Sequence, residues 1–417
     1  MLPRMAANAL RPEHERYARV ESLRLGGVPV ECEFIGYGGT AAAEGQPAAE
    51  PAEIVAGYGL LELEYAAFRR GAAILDMAHR GTIAVRGAER IEFLNRMVTQ
   101  ELKGLADGEV RAGFWLNRKG RIDADLVFVQ PPAADGVPPV LFVDVDIHDA
   151  ARTVKTLSEF LFSEDVQLAD ESSQWARLAV HGPDGAQVLS NAGADDASLE
   201  ALNQDLRCSR TTLAGAPAIL VRRDQCGSPG VEVLLPPEHA ARVWDALASQ
   251  HDAQDGGRRR ARPAGWHAYN IARIEAGTPL HHVDFGPENL PHESGILAQR
   301  VSFRKGCYLG QEVVARMESL GKPKQRLVAL RMAEDLLPVA GSPVFERGAD
   351  GEPGNPVGTV TSSTLAPMLG ASCVAFAMIR SAHAEPGTQL LVPAEGGRAS
   401  AAVQPTLRFL PEPKGAS

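Results

Sequence analysis

An α+β architecture of more than one domain, closed by a β-rich C-terminal domain, is predicted by three observations. The chain has 417 residues, too many for one ordinary domain. Through its first three quarters, apolar residues alternate between helical spacing and strand-like runs. From Arg326 onward the pattern changes to short β-rich pieces, "RLVALRM", "PVGTVTSST", "CVAFAMI" and "QLLVP", split by Gly/Pro turns as in a small antiparallel barrel.

Leu61, Tyr65, Phe68 and Ala72 fall on one helical face, and Ile91, Leu94 and Val98 on another. Thr82 to Arg86 between them reads as a strand. Val140 to Val145 is a second strand-like run, and Val154, Leu157 and Leu161 follow at helical spacing. "AVRGAERIEFL" (84–94) and "AVHGPDGAQVL" (179–189) echo each other as strand, glycine turn and amphipathic helix, which suits two similar lobes. Residues 40–53, 250–265 and 346–356 have loop composition, and the second and third are expected near domain boundaries. Arg258, Arg259, Arg260 and Arg262 are expected in a solvated tether.

Composition narrows the function classes. Forty-two basic against 52 acidic residues give a net charge of −10, which argues against general nucleic-acid or anionic-membrane binding. No apolar run reaches membrane-spanning length and the start lacks a signal-type core, so a cytoplasmic location is expected. Cys32, Cys208, Cys226, Cys307 and Cys373 are odd in number and widely spaced, against a disulfide framework, a structural zinc site or a resident iron–sulfur cluster.

The segment Arg304 to Leu327, "RKGCYLGQEVVARMESLGKPKQRL", carries the strongest chemical signal. Cys307 follows Lys305 and Gly306 and precedes a helix starting at Gln311. Lysine and helix N-terminus would both favour a thiolate. A small thiol packed in a tight turn fits the same residues.

"KGCYLGQEVVAR" (305–316) resembles the signature segment of the YgfZ family, KGCYxGQE. Upstream, "NIARIEAGTPLHHVDFGPENLPHESG" (270–295), the segment 68–129 and "VGTVTSST" (357–364) resemble the wider aminomethyltransferase superfamily of the glycine cleavage T-protein. The resemblance implies a three-domain fold around a central hole that binds tetrahydrofolate. It places an N-terminal α+β lobe at 1–170 (1–55 partly irregular), a second α+β lobe with the cysteine motif at 171–323, and a small β-barrel at 324–417. It implies a tetrahydrofolate-binding accessory protein for assembly or repair of iron–sulfur enzymes, with those enzymes as partners and Cys307 as the working thiol. The alternative is a tetrahydrofolate-dependent aminomethyltransferase or demethylase, in which Asp125 (or Asp123) steers a folate nitrogen.

By the same resemblance Arg273 and Trp266 are expected to hold folate by charge and stacking, with Lys305, Tyr308, Gln311 and Glu312 completing the site. The plainer alternative for Arg273 is an ion pair with Glu275. Ser228 replaces a pterin-binding glutamate of the family pattern, which weakens that pose. His281 and His282, beside Asp284, look like ligands, but neighbours on an extended chain point apart, so no metal is expected. His79 is read as structural, and Glu293 as an acid at the cavity mouth or a turn cap.

Overall fold

The computed structural model describes residues 8–38, 50–252 and 258–411. An antiparallel sheet, a mixed sheet and a closed barrel dominate it. The first sheet runs Val110–Leu116, Ile122–Val129, Leu141–Asp146, Arg80–Arg86, Gln167–Asp170. The second runs Cys208–Leu213, Ala216–Arg222, Gly230–Leu235, Ala176–His181, Ala72–Asp76, Ala261–Pro263, the last pair parallel. The barrel closes in the order Gln325–Met332, Ser372–Arg380, Pro353–Ala366, Pro343–Arg347, Gln389–Ala394, Gly397–Val403. The sheets do not divide the chain at 170/171, because Ala72–Asp76 pairs with Ala176–His181 across that point.

The sequence echo marks real equivalents. Arg80–Arg86 leads into helix Arg90–Met97, and Ala176–His181 leads into helix Gly185–Asn191. Each of these strands sits inside its sheet, and each helix buries an apolar stripe against it, Phe93 and Leu94 in one and Val188 and Leu189 in the other. Each such buried side chain is worth about 1.5–3 kcal/mol. The first predicted helix is shorter than its spacing suggested. It ends at Arg70, so Ala72 opens a strand and Leu61 is exposed, leaving Tyr65 and Phe68 on the buried face.

The inner faces of the two sheets pack together through Ala112, Val127, Val129 and Phe142 on one side and Cys208, Ile219, Val221 and Leu234 on the other. A buried ion cluster joins them. Asp144 accepts from Arg80 at 2.8 and 3.0 Å and from Arg223 at 2.7 Å, while Glu232 accepts from Arg177 at 2.7 Å. Burial would raise the Asp144 carboxyl, but Arg177, Arg80 and Arg223 outweigh it and hold the group well below the usual carboxylate range. Such a network fixes how the sheets face each other, since breaking one partner leaves a buried charge.

The arginine run is not a solvated tether. Arg259 lies over the Tyr17 ring and donates to Glu21 at 2.8 Å, and Arg262 reaches the same carboxylate at 3.3 Å. These bonds clip the N-terminal helix, Arg11–Arg24, onto the second sheet because Glu21 is buried and needs cationic partners. The stretch 346–356 lies within the barrel, in the connection between two antiparallel strands, rather than near a domain boundary. Most of 40–53 lies outside the described residues, and Ala52–Gly57 is a strand.

His79 and His181 are buried, and burial lowers each imidazole to about 4. Their unfolded value is about 6.5. The unfolded chain therefore binds more protons between those values, and stability is lost as pH falls from about 6.5 toward 4. The denaturation midpoint should be clearly lower at pH 5 than at pH 7.5, and His181→Leu should flatten part of that decline.

Candidate functional site

A cavity of 550 Å³ opens where the structural units meet. Ala112 and Val127 come from the first sheet, and Asp205 and Arg223 to Gln225 from the edge of the second. Gly277 to Pro279 follow helix Trp266–Ala276, and Thr406 to Arg408 follow the barrel. The helix stops at Gly277, whose φ of +80° turns the chain into the cavity wall; a Cβ there would sit 2.6 Å from Arg408 backbone.

The wall is polar and incompletely satisfied. Gln225 Oε1 and Arg408 Nε are buried with no hydrogen-bond partner among the described residues. Arg300 donates from Nε and Nη2 to Asp125 at 2.6 and 3.3 Å, so this wall arginine is aimed by the carboxylate behind it. Asp205 is open to the cavity yet densely surrounded, and that desolvation raises its carboxyl. Next to it, Leu206 has φ +60°, a costly conformation for this residue type, held by its N–H on Arg222 and its carbonyl under Val110 N–H. A titratable acid, a glutamine and the guanidinium groups of Arg300 and Arg408 around one hollow suit a planar polar ring bearing an anionic tail.

Of the eight residues expected to form the site, only Asp125 reaches this cavity, through Arg300. Arg273 is wholly buried and committed elsewhere. It donates to Asp284 at 2.7 Å, Ser362 at 2.8 Å, Asn270 at 2.8 Å and the Thr278 carbonyl at 3.1 Å. Its ion-pair partner is therefore Asp284 rather than Glu275, which pairs with Arg69 at 2.7 Å and Tyr65. Trp266 packs on Tyr37, His79 and Tyr269 beside a cleft of only 10 Å³, too small for a pterin.

Lys305 is buried, with Nζ on the carbonyls of Asn95 and Val98 at 2.5 Å and Gln100 at 3.1 Å. Burial lowers its ammonium to about 8. It thus caps helix Arg90–Met97 and is turned away from a ligand role. Tyr308 joins an apolar cluster with Phe114, Phe285 and Val314. Gln311 and Glu312 open helix Gln311–Leu320 outside the cavity lining. Gly310, with φ +80°, serves close approach to protein and not to a ligand, since a Cβ there would meet Asn117 O at 2.9 Å. Glu293 is the turn cap, accepting from Asn289 at 3.0 Å and Leu290 N–H at 3.3 Å.

Cys307 is exposed, whereas Cys208, Cys226 and Cys373 are buried and Cys32 is half-buried. Burial pushes the Cys208 and Cys226 thiols up to about 12. Alkylation of native protein, followed by peptide mapping, should therefore modify Cys307 first and leave Cys208 and Cys226 intact until unfolding. Asp205, Gln225 and Arg408 escaped sequence reasoning because no motif contains them; the one hint was the Gly227–Ser228–Pro229–Gly230 turn next to Gln225.

Two family models match, the GCVT N-terminal domain over residues 58–305 and the glycine cleavage T-protein C-terminal barrel domain over 325–409. The aminomethyltransferase of Streptomyces coelicolor is 30% identical over 335 residues, 80% of this chain and 84% of that protein. That of Geobacillus kaustophilus is 29% identical, over 82% and 88%. The crystal structure of glycine cleavage system aminomethyltransferase T from Bartonella henselae superposes with a TM-score of 0.76 at 22% identity, covering 98% of each chain, and so shares the fold. With both its N-terminal region and its barrel matched, the chain belongs to the glycine cleavage T-protein family, the aminomethyltransferase superfamily.

Proposed function

We propose that this protein is a tetrahydrofolate-dependent one-carbon transferase acting on an aminomethyl donor, whose methylene carbon passes to the folate as its amine leaves, with the central cavity as its folate site. The observation that carries the reading is the convergence of Asp205, Arg300 and Arg408, from three separate stretches of the chain, on one 550 Å³ hollow of ligand size. Tetrahydrofolate fits that donor set. Gln225 would meet the amino edge of the ring, Asp205 would lie by the reacting nitrogens, and Arg300 and Arg408 would meet the tail carboxylates. The folate supplies secondary amine nitrogens that take up the one-carbon unit. Asp205 holds or releases a proton at its carboxyl oxygen, whose pKa its dense surroundings raise above that of an ordinary carboxylate. Asp125 orients Arg300 and acts as a positioning residue.

The relatives named aminomethyltransferase favour this reading over an accessory role in iron–sulfur enzyme assembly. The accessory reading retains one support, the exposed Cys307 in its family-like segment. Purified protein, tetrahydrofolate and an aminomethyl donor separate the two. Methylene-tetrahydrofolate should form at an enzymatic rate that survives Cys307→Ala. Folate binding without turnover would favour the accessory role, and absence of both would end the proposal.

A further inference from the structure

Outside the central cavity, Asp149, His281 and His282 bring three ligand atoms within 4.8 Å of one another. Asp149 precedes helix Ala150–Ser158, and the histidines lie in the loop after helix Trp266–Ala276. Asp149 Oδ2 is 2.8 Å from His282 Nε2 and 3.1 Å from His281 Nδ1. Extended neighbours would point apart, but His282 has φ +67°, and its N–H bonds the Phe285 carbonyl at 2.8 Å. This bend turns both rings to one side, with centroids 4.0 Å apart. The absence of a metal cluster expected from the sequence rested on the extended geometry that this residue abandons.

His281 supplies the independent sign of a ligand. Its side chain is 3% exposed, and neither ring nitrogen has a hydrogen-bond partner among the described residues. Nδ1 is near Asp149 but out of line for a hydrogen bond. An orphaned buried imidazole is costly unless something is bound to it. The carboxylate oxygen is about 3 Å from each imidazole nitrogen, the spacing produced by metal–ligand bonds of about 2.1 Å.

We propose that Asp149, His281 and His282 form a site for a divalent transition cation of the Zn²⁺ or Fe²⁺ class. Two imidazoles and one carboxylate select such ions over Mg²⁺ and Ca²⁺, which prefer all-oxygen shells. His282 is one-third exposed, so the cation has an entry and its remaining coordination positions face water. Asp146 adds negative potential nearby. Arg152, 3.4 Å from Asp149 Oδ1, opposes it, but this side chain is 46% exposed and can swing aside. The bound ion staples the first sheet's helix to a loop that also gives Thr278 and Pro279 to the cavity wall.

The test is calorimetric titration of chelator-stripped, full-length protein with Zn²⁺, with Mg²⁺ as control and Co²⁺ absorption as a report of nitrogen–oxygen ligation. One Zn²⁺ should bind per chain. Affinity should fall by about 100-fold or more in Asp149→Asn and His281→Gln, beyond the loss typical of outer-shell partners, and be unchanged in Cys307→Ser. His282→Asn, which keeps the left-handed backbone at a part-exposed position, should weaken binding with the fold intact. Failure of Zn²⁺ to bind one-to-one, or equal affinity in His282→Asn and wild type, overturns the proposal and leaves the cluster a buried ion pair.

Discussion

Asp205→Asn is expected to slow one-carbon transfer by about 100-fold or more, the scale set by loss of a positioned general acid or base. The carboxyl faces the cavity in dense surroundings that raise its pKa, so it can exchange a proton closer to neutrality than an ordinary carboxylate. The amide keeps the shape, and with it acceptance of the Asp224 N–H at 3.1 Å, so folding and folate affinity should change little. Steady-state kinetics across pH are decisive. Wild type should show an acid limb above the usual carboxylate range, and the variant should lose it together with its rate. An unaltered pH profile and rate would remove Asp205 from the chemistry.

Arg273→Ala has the largest expected effect on stability. The guanidinium and its partner Asp284 are both fully buried, and the pair reaches into the barrel through Ser362 and Thr361. Truncation strands the Asp284 charge, a loss of about 3–5 kcal/mol. Chemical denaturation should show an early transition or little soluble protein. Arg273→Lys should recover only part, since one ammonium cannot replace donors aimed at Asp284, Ser362 and Asn270 together. Normal stability with folate binding lost would return Arg273 to the ligand role its sequence context suggested.

That case shows where sequence reasoning runs out. The barrel was readable because four short β-rich pieces after Arg326 are split by Gly/Pro turns, and the helices at 90–97 and 150–158 because their apolar spacing is local. The helical neighbours of Arg273 were likewise foreseeable, as the bond to Asn270 shows. Its bond to Ser362 spans 89 residues, and that of Lys305 to Asn95 spans 210, so only the folded topology decides what those cations touch. Asp205 and Gln225 acquire meaning in the same way, from segments that meet only after folding. Asp125 stood out because it lies in a segment of family resemblance, and even there its partner Arg300 is 175 residues away.

A crystal structure of the protein soaked with tetrahydrofolate tests the account most directly. The pterin should lie against Asp205 and Gln225, with the glutamyl tail toward Arg300 and Arg408. Folate density beside Cys307 or in the Trp266 cleft, with the central hollow holding only solvent, would contradict it.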